Sequence, residues 1–219
     1  EQTERHGIYI VGYTDGTFGP SRSMTRSEAA AIFARLLAEK NGDTISTAAN
    51  TKFADIPAHA WYSGYVKYLS NNGITYGKSK TVFAPNDAIT RAEFTTMAVR
   101  FFDVYGSGDA EIMEQFSGFN DVSSGYWAAE YIKYAALHGW INGYGDGSFH
   151  AEREINRAEV VTIVNRLLGR EADEDYIADN LRKLNTFPDV TKRHWAYYAV
   201  MEAANAHTAV LGENESWSK

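Results

Sequence analysis

Apolar side chains return at helical intervals in two sets of segments. Ile32, Phe33, Leu36 and Leu37 lie on one side of a 3.6-residue helix, as do Val160, Ile163, Val164 and Leu167. The stretch that follows Thr90 carries a third copy of the same pattern. Each of these helices has a start signal. Thr25, Thr90 and Asn156 are good N-caps, and Glu28, Glu93 and Glu159 stand three residues later, the spacing of a capping box. Gly169 is a stop for the third. The second set is shorter. Tyr65, Val66 and Leu69 follow Trp61, Tyr131, Ile132 and Ala135 follow Trp127, and Gly73 and Gly139 end the two runs. Asp121-Val-Ser-Ser-Gly before Trp127 offers turn and cap chemistry. About six principal helices are predicted, with an extra surface helix that begins in the acidic stretch 171–175 and includes Ile177, Leu181 and Leu184.

The helices recur with a period. Met24-Thr-Arg-Ser-Glu28, Ile89-Thr-Arg-Ala-Glu93 and Ile155-Asn-Arg-Ala-Glu159 place their arginines 65 and 66 positions apart. Phe53-Ala-Asp-Ile, Phe119-Asn-Asp-Val and Phe187-Pro-Asp-Val keep the same interval, and Trp61, Trp127 and Trp195 each lie six residues after the aspartate. Between these elements stand glycine turns, Gly12–Phe18 and Gly143–Phe149, with a degraded copy at Gly77–Phe83. The turns are read as tight, with at most a short strand. The unit is therefore Phe-x-Asp-Val, Trp helix, glycine turn, Arg helix. Two whole units span about 53–104 and 119–169, with linkers at 40–51, 105–118 and 169–186. A third is split between residues 1–39 and 187–219. Units of this size cannot bury their apolar faces alone. The spacing predicts one mainly α, pseudo-threefold domain over 1–219, closed by packing the helix at 187–207 on the first Arg helix.

Composition narrows the chemistry. The net charge is −7 and no basic run occurs, which weighs against nucleic acid. No apolar stretch reaches membrane-spanning length. The absence of cysteine excludes disulfides, cysteine nucleophiles and thiolate metal sites. There is no Gly-x-Ser-x-Gly, no phosphate loop and no His-Glu-x-x-His. No carboxylate pair stands apart from cap and turn roles. Asp15-Gly16 and Asp146-Gly147 lack the alternating oxygen ligands of a calcium loop. No catalytic residue, cofactor or metal is expected. His6, His59, His138, His150, His194 and His207 are scattered, and the ones beside a motif Trp are replaced by Tyr126 in another copy.

The combination Phe-x-Asp-Val, Trp-Ala, Gly-Tyr-x-Asp-Gly-x-Phe and Ile-Thr-Arg-Ala-Glu resembles the S-layer homology (SLH) domain over most of the chain. The resemblance implies three units in a helical spindle whose grooves hold secondary cell-wall polysaccharides, often through a pyruvate ketal. It implies a mooring role at the cell wall or S-layer of a bacterium, within a larger extracellular protein. By position, the ligand-binding residues it implies are Arg26, Arg91 and Arg157, Asp55, Asp121 and Asp189, Trp61, Trp127 and Trp195, and the turn glycines Gly12, Gly77 and Gly143. Lys78 and Lys80 stand where the other turns carry Tyr and Asp, so the second site is altered.

Two readings of the arginine stand side by side. A guanidinium can hold a carboxylate with two parallel hydrogen bonds, and at a helix start it would be helped by the dipole and by free N–H groups. Alternatively each arginine pairs with a motif aspartate and braces the fold. The motif Phe and Trp read first as core, with a Trp edge lining a groove as the second choice. The competing function is a protein-interaction or self-assembly scaffold with no glycan.

Overall fold

The computed structural model describes residues 2–106, 116–212 and 215–218. Most of the predicted linker 105–118 lies outside the described residues. The fold is mainly helical. Six helices fall on the predicted positions: α1 (Arg26–Asn41), α2 (Ser63–Asn71), α3 (Arg91–Tyr105), α4 (Ala129–Leu137), α5 (Arg157–Leu168) and α7 (Tyr197–Ala204). The extra helix, α6 (Glu174–Asn180), holds Ile177 but stops before Leu181 and Leu184, which the sequence pattern includes.

All three capping boxes form. Thr25, Thr90 and Asn156 each accept the N–H three residues on, while Glu28, Glu93 and Glu159 reach back to the cap N–H. Left-handed Gly42, Gly106 and Gly169 end the same helices. The Trp-led helices differ from expectation. Tyr62, Ala128 and Ala196 stand at their N-caps without a side-chain cap bond. Backbone turns take over this task, as where Tyr126 N–H reaches Ser123 and Ala129 N–H reaches Tyr126.

The chain divides into two compact units, residues 23–155 and residues 1–22 with 156–219. In the first, α1 packs on α2 and on α3, and α3 packs on α4. The Phe33 ring of α1 lies 5.3 Å from Phe94 and 4.9 Å from Phe101 of α3. The residues that precede the capping boxes close a triangle of backbone hydrogen bonds. Met24 N–H donates to Ile155, Ile155 to Ile89 and Ile89 to Met24, at 3.0, 3.0 and 2.9 Å. All three side chains are fully buried. The repeat thus brings the residues ahead of its three capping boxes to one point.

In the second unit α7 packs on α5, and Asn165 of α5 donates to the Ala199 carbonyl at 3.0 Å. The helix that repeat spacing assigned to α1 thus takes α5, the Arg helix before it, as its packing partner. α1 with α2 and α3 with α4 follow the same rule.

The two ends of the chain meet in an antiparallel sheet that sequence patterning does not foretell. Strand β1 (Gln2–His6) pairs with β2 (His207–Leu211), which pairs with β3 (Ser216–Ser218). His6 stands directly opposite His207. Burial alone would lower the pKa of His6, but its hydrogen bonds to Glu202 and Glu215 outweigh burial and raise it to about 9. Among the described residues no helix is long and apolar enough to cross a membrane.

Candidate functional site

Each glycine turn is locked by the motif aspartate. Asp55 accepts the N–H groups of Phe83 and Ala84, with closest approaches of 2.9 and 2.6 Å. Asp121 accepts from Phe149 and His150 at 2.7 Å each. Asp189 accepts from Phe18 and Gly19 at 2.9 and 2.7 Å. The second donor of each pair sits in the left-handed region, with φ of 68° at Gly19, 58° at Ala84 and 55° at His150. That bend turns two successive N–H groups toward one carboxylate.

Two predictions arise from these clamps. Burial works against ionisation of Asp121 and Asp189, but the paired N–H donors outweigh it and hold both carboxyls below the ordinary 3.8. A carboxyl lowered in the folded state stabilises it above the unfolded pKa. Their contribution is fully present at neutral pH, begins to fall near pH 4, and is lost as pH drops through the folded values. Chemical denaturation followed from pH 6 down to pH 3 is expected to show this loss. The second prediction concerns Ala84. The left-handed region disfavours an L side chain by about 1–2 kcal/mol, while glycine adds about 0.4–1 kcal/mol of unfolded-state entropy. Ala84→Gly is therefore expected to stabilise by about 0.5–1 kcal/mol, read as a higher melting temperature. His150→Gly should gain less, because the His150 ring bonds Ser148 Oγ at 3.0 Å and packs on Tyr144.

The motif glycines have a packing reason. A Cβ at Gly12 would lie 2.5 Å from the Phe187 ring, and one at Gly77 or Gly143 would lie 2.4 Å from Phe53 or Phe119. Those rings in turn pack on Phe18, Phe83 and Phe149, with centroids 5.2 to 5.5 Å apart. The phenylalanine of Phe-x-Asp thus seats the turn, and the aspartate two residues on fastens it.

The three arginines reach into these turns, each into the turn of the next repeat, and Arg157 into the first. Arg26 Nε donates to the Phe83 carbonyl at 2.7 Å, Arg91 Nε to Phe149 at 2.9 Å and Arg157 Nε to Phe18 at 2.8 Å. Further bonds run from Arg91 to the Asn142 carbonyl at 3.2 Å and from Arg157 to the Val11 carbonyl at 2.6 Å. Each guanidinium also lies over the turn phenylalanine, at 4.5 to 5.0 Å from the ring centre. Tyr144 and Tyr13 add a second ring to Arg91 and Arg157. All three side chains are almost wholly buried, at 4, 5 and 4% exposure.

Two sequence expectations change here. The partner of the motif aspartate is a pair of backbone amides, whereas each arginine reaches carbonyls and rings, and Arg26 also the Glu93 carboxylate. The helix-start N–H groups are also occupied. Arg26, Arg91 and Arg157 N–H bond the carbonyls of Asp87, Arg153 and Arg22, and the next residues bond Pro85, Ala151 and Pro20. The first-turn donors stitch repeats together and are not presented to an anion.

The second turn is built differently, as Lys78 and Lys80 suggest. In the first and third turns Asp15 and Asp146 hold the N–H and hydroxyl of Thr17 and Ser148. Lys80 cannot do this, and Ser79 Oγ accepts from Thr81 and Val82 in its place. Lys78, where the others have Tyr, pairs with Asp87 at 2.9 Å. Arg26 lacks the second ring and pairs with Glu93 at 3.0 Å.

The motif tryptophans are the accessible members of the set. Trp61, Trp127 and Trp195 are 54, 55 and 66% exposed, so the core reading does not hold for them. Tyr62 and Tyr65 flank Trp61, Tyr126 flanks Trp127, and His194 stacks against Trp195. A hollow of about 490 Å³ lies beside the first turn, with Val11, Gly12, Tyr13 and Phe187 in its wall. A second, of about 290 Å³, lies between Phe119, Val122 and the first turn of α4.

The model of the S-layer homology domain family matches residues 4–30, 52–95 and 118–161, just over half of the chain. The chain is 34% identical over 218 residues to cell surface glycoprotein 1 of Acetivibrio thermocellus, and 31% over 214 residues to the cellulosome-anchoring protein of the same organism. The alignments cover 96 and 97% of this chain but 9 and 45% of those proteins. It is also 32% identical over 163 residues to the surface-layer 125 kDa protein of Lysinibacillus sphaericus, covering 73% of this chain and 13% of that protein. The chain thus spans less than half the length of the curated relatives it matches.

Proposed function

We propose a mooring function for this chain, which belongs to the S-layer homology domain family: it holds a larger protein non-covalently on a bacterial cell surface. The ligand in this reading is an anionic secondary cell-wall polysaccharide, of the pyruvylated kind. The chain acts as an anchor and not as an enzyme. Names of relatives that refer to the cell surface, the surface layer and cellulosome anchoring support the location.

The observation that carries the reading is the exposure of the same tryptophan in every repeat, six residues after the aspartate that locks a turn. A single exposed ring is ordinary, but the same tryptophan left more than half in water in all three repeats marks a surface kept for contact. The flat face of an indole suits the apolar face of a pyranose, with the N–H edge kept for a polar contact. The arginines supply charge. Each guanidinium is sunk among rings and carbonyls, where a low dielectric screens it weakly. Its field, already answered by Glu93 at Arg26, favours a carboxylate at the adjoining turn, and the hollow of about 490 Å³ beside Gly12 offers room for a sugar at such a turn. Asp55, Asp121 and Asp189, with Gly12, Gly77 and Gly143, act by fixing turn shape. The protein's own charge of −7 opposes an acidic polymer. Attachment therefore rests on short-range contacts and should respond only moderately to salt.

Cosedimentation with purified wall sacculi tests this reading. The chain should sediment with intact sacculi and stay in solution once the secondary polymer is stripped. Equal retention on both would overturn the glycan reading. Capture by a protein-coated, polymer-free surface would favour the protein-interaction scaffold.

A further inference from the structure

Outside the repeat motifs, four ionisable side chains from distant parts of the sequence converge where β1 and β2 pair. His6 comes from β1, His207 from β2, Glu202 from α7, and Glu215 from just before β3. Their donor atoms all lie within 4.8 Å of one another, and they are the one such group of metal-ligating side chains among the described residues. We propose that His6, Glu202, His207 and Glu215 bind one divalent transition-metal ion of the zinc type.

The distances fit such an ion. His6 Nδ1 lies 3.2 Å from Glu202 Oε1 and 3.3 Å from Glu215 Oε1. His207 Nε2 lies 3.3 Å from Glu202 Oε2 and 3.3 Å from Glu215 Oε1. A tetrahedral ion bound at 2.0–2.1 Å by nitrogen and oxygen separates its ligand atoms by about 3.3–3.4 Å. The His–Glu separations therefore match the edges of such a tetrahedron, with Glu202 turning a different oxygen to each histidine, and no ligand atom lies more than 4.8 Å from another, so a modest inward shift would close the set on the ion. Two imidazoles and two carboxylates suit zinc better than calcium or magnesium, which prefer oxygen alone.

The surroundings orient the ligands as a metal site requires. His207 Nδ1 bonds the Asn205 carbonyl at 3.0 Å, which directs the Nε2 lone pair inward. The Trp217 ring stacks on His207 at 3.8 Å and donates its indole N–H to Glu215 at 3.1 Å. The other Glu215 oxygen accepts Glu171 N–H at 3.0 Å. Glu202 is 1% exposed, and its Oε2, aimed into the cluster, makes no hydrogen bond and has only the ion pair with His207 at 3.3 Å. A buried carboxylate oxygen without a directed hydrogen bond is costly, and a metal bond would supply the missing partner. Arg170, also buried, opposes a cation at His6, but two carboxylates outnumber it. Four protein ligands leave no open position, so the ion would be structural and would fasten the terminal sheet.

The test uses the chelator-treated chain titrated with Zn²⁺. Calorimetry should find one ion per chain, and the melting temperature should rise with Zn²⁺ but not with equal Ca²⁺. Co²⁺ should give the intense visible bands of a tetrahedral site. Glu215→Gln keeps the size and the acceptor oxygen, so it should fold and bind Zn²⁺ at least about tenfold more weakly. His207→Gln should abolish one-to-one binding. A folded parent chain that binds no Zn²⁺, or a folded Glu215→Gln that binds as tightly as the parent, would overturn the site and leave an ion-pair network. Neither outcome bears on wall binding, which uses other residues.

Discussion

Replacing Trp61, Trp127 and Trp195 together with alanine is expected to abolish retention on wall sacculi while leaving the fold intact. The side chains are more than half exposed, and exposed substitutions usually change stability by no more than about 0.5 kcal/mol. Truncating a tryptophan at the centre of a binding patch costs about 2 kcal/mol or more. One replacement should therefore weaken binding roughly 30-fold, and three should remove it from measurable range. Cosedimentation beside circular dichroism separates the two effects. The single variants also rank the grooves. Trp195→Ala reports on the repeat whose turn adjoins the larger hollow. The turn clamped from the Trp61 repeat carries Lys78 and Lys80, and it is the one expected to differ.

Arg91→Met is expected to destabilise the chain by about 3 kcal/mol or more, since a buried carbonyl left unpaired costs about 1–3 kcal/mol. The substitution strips donors from the Phe149 and Asn142 carbonyls and removes a cation held over two rings. Arg91→Lys should rescue little. A lysine has no Nε–H at the fork position and cannot reach a carbonyl and lie flat on a ring at once. Denaturant unfolding of both variants measures this, and Arg91→Met with unchanged stability would show that the brace contributes nothing. The practical consequence is that loss of binding in an arginine variant says little by itself. The exposed tryptophans give the cleaner reading.

The helices were legible because their signals are local. A capping box, a 3.6-residue apolar rhythm and a closing glycine all lie within one helix, and the 65- and 66-residue spacing repeats them. The arginine's target was not legible. It is the backbone oxygen of a phenylalanine 57 or 58 positions later for Arg26 and Arg91, and a backbone atom has no letter in a sequence. The aspartate's role was hidden for the same reason, since its partners are amide N–H groups. Trp61 read as core because large rings usually are, and only the surrounding chain shows it left in water. The partnership of His6 with His207 joins positions 201 residues apart across a strand pair that carries no alternating pattern to announce it. Lys78 and Lys80, by contrast, marked the altered second turn directly, because each replaces a side chain with a defined task.

The most direct measurement is a calorimetric titration of the chain with the soluble secondary polymer released from sacculi, run beside the same polymer after its acidic ketal groups are removed. Saturable binding to the first and at least tenfold weaker binding to the second is the expected result. Equal affinity for both, or none for either, would contradict recognition of an acidic sugar.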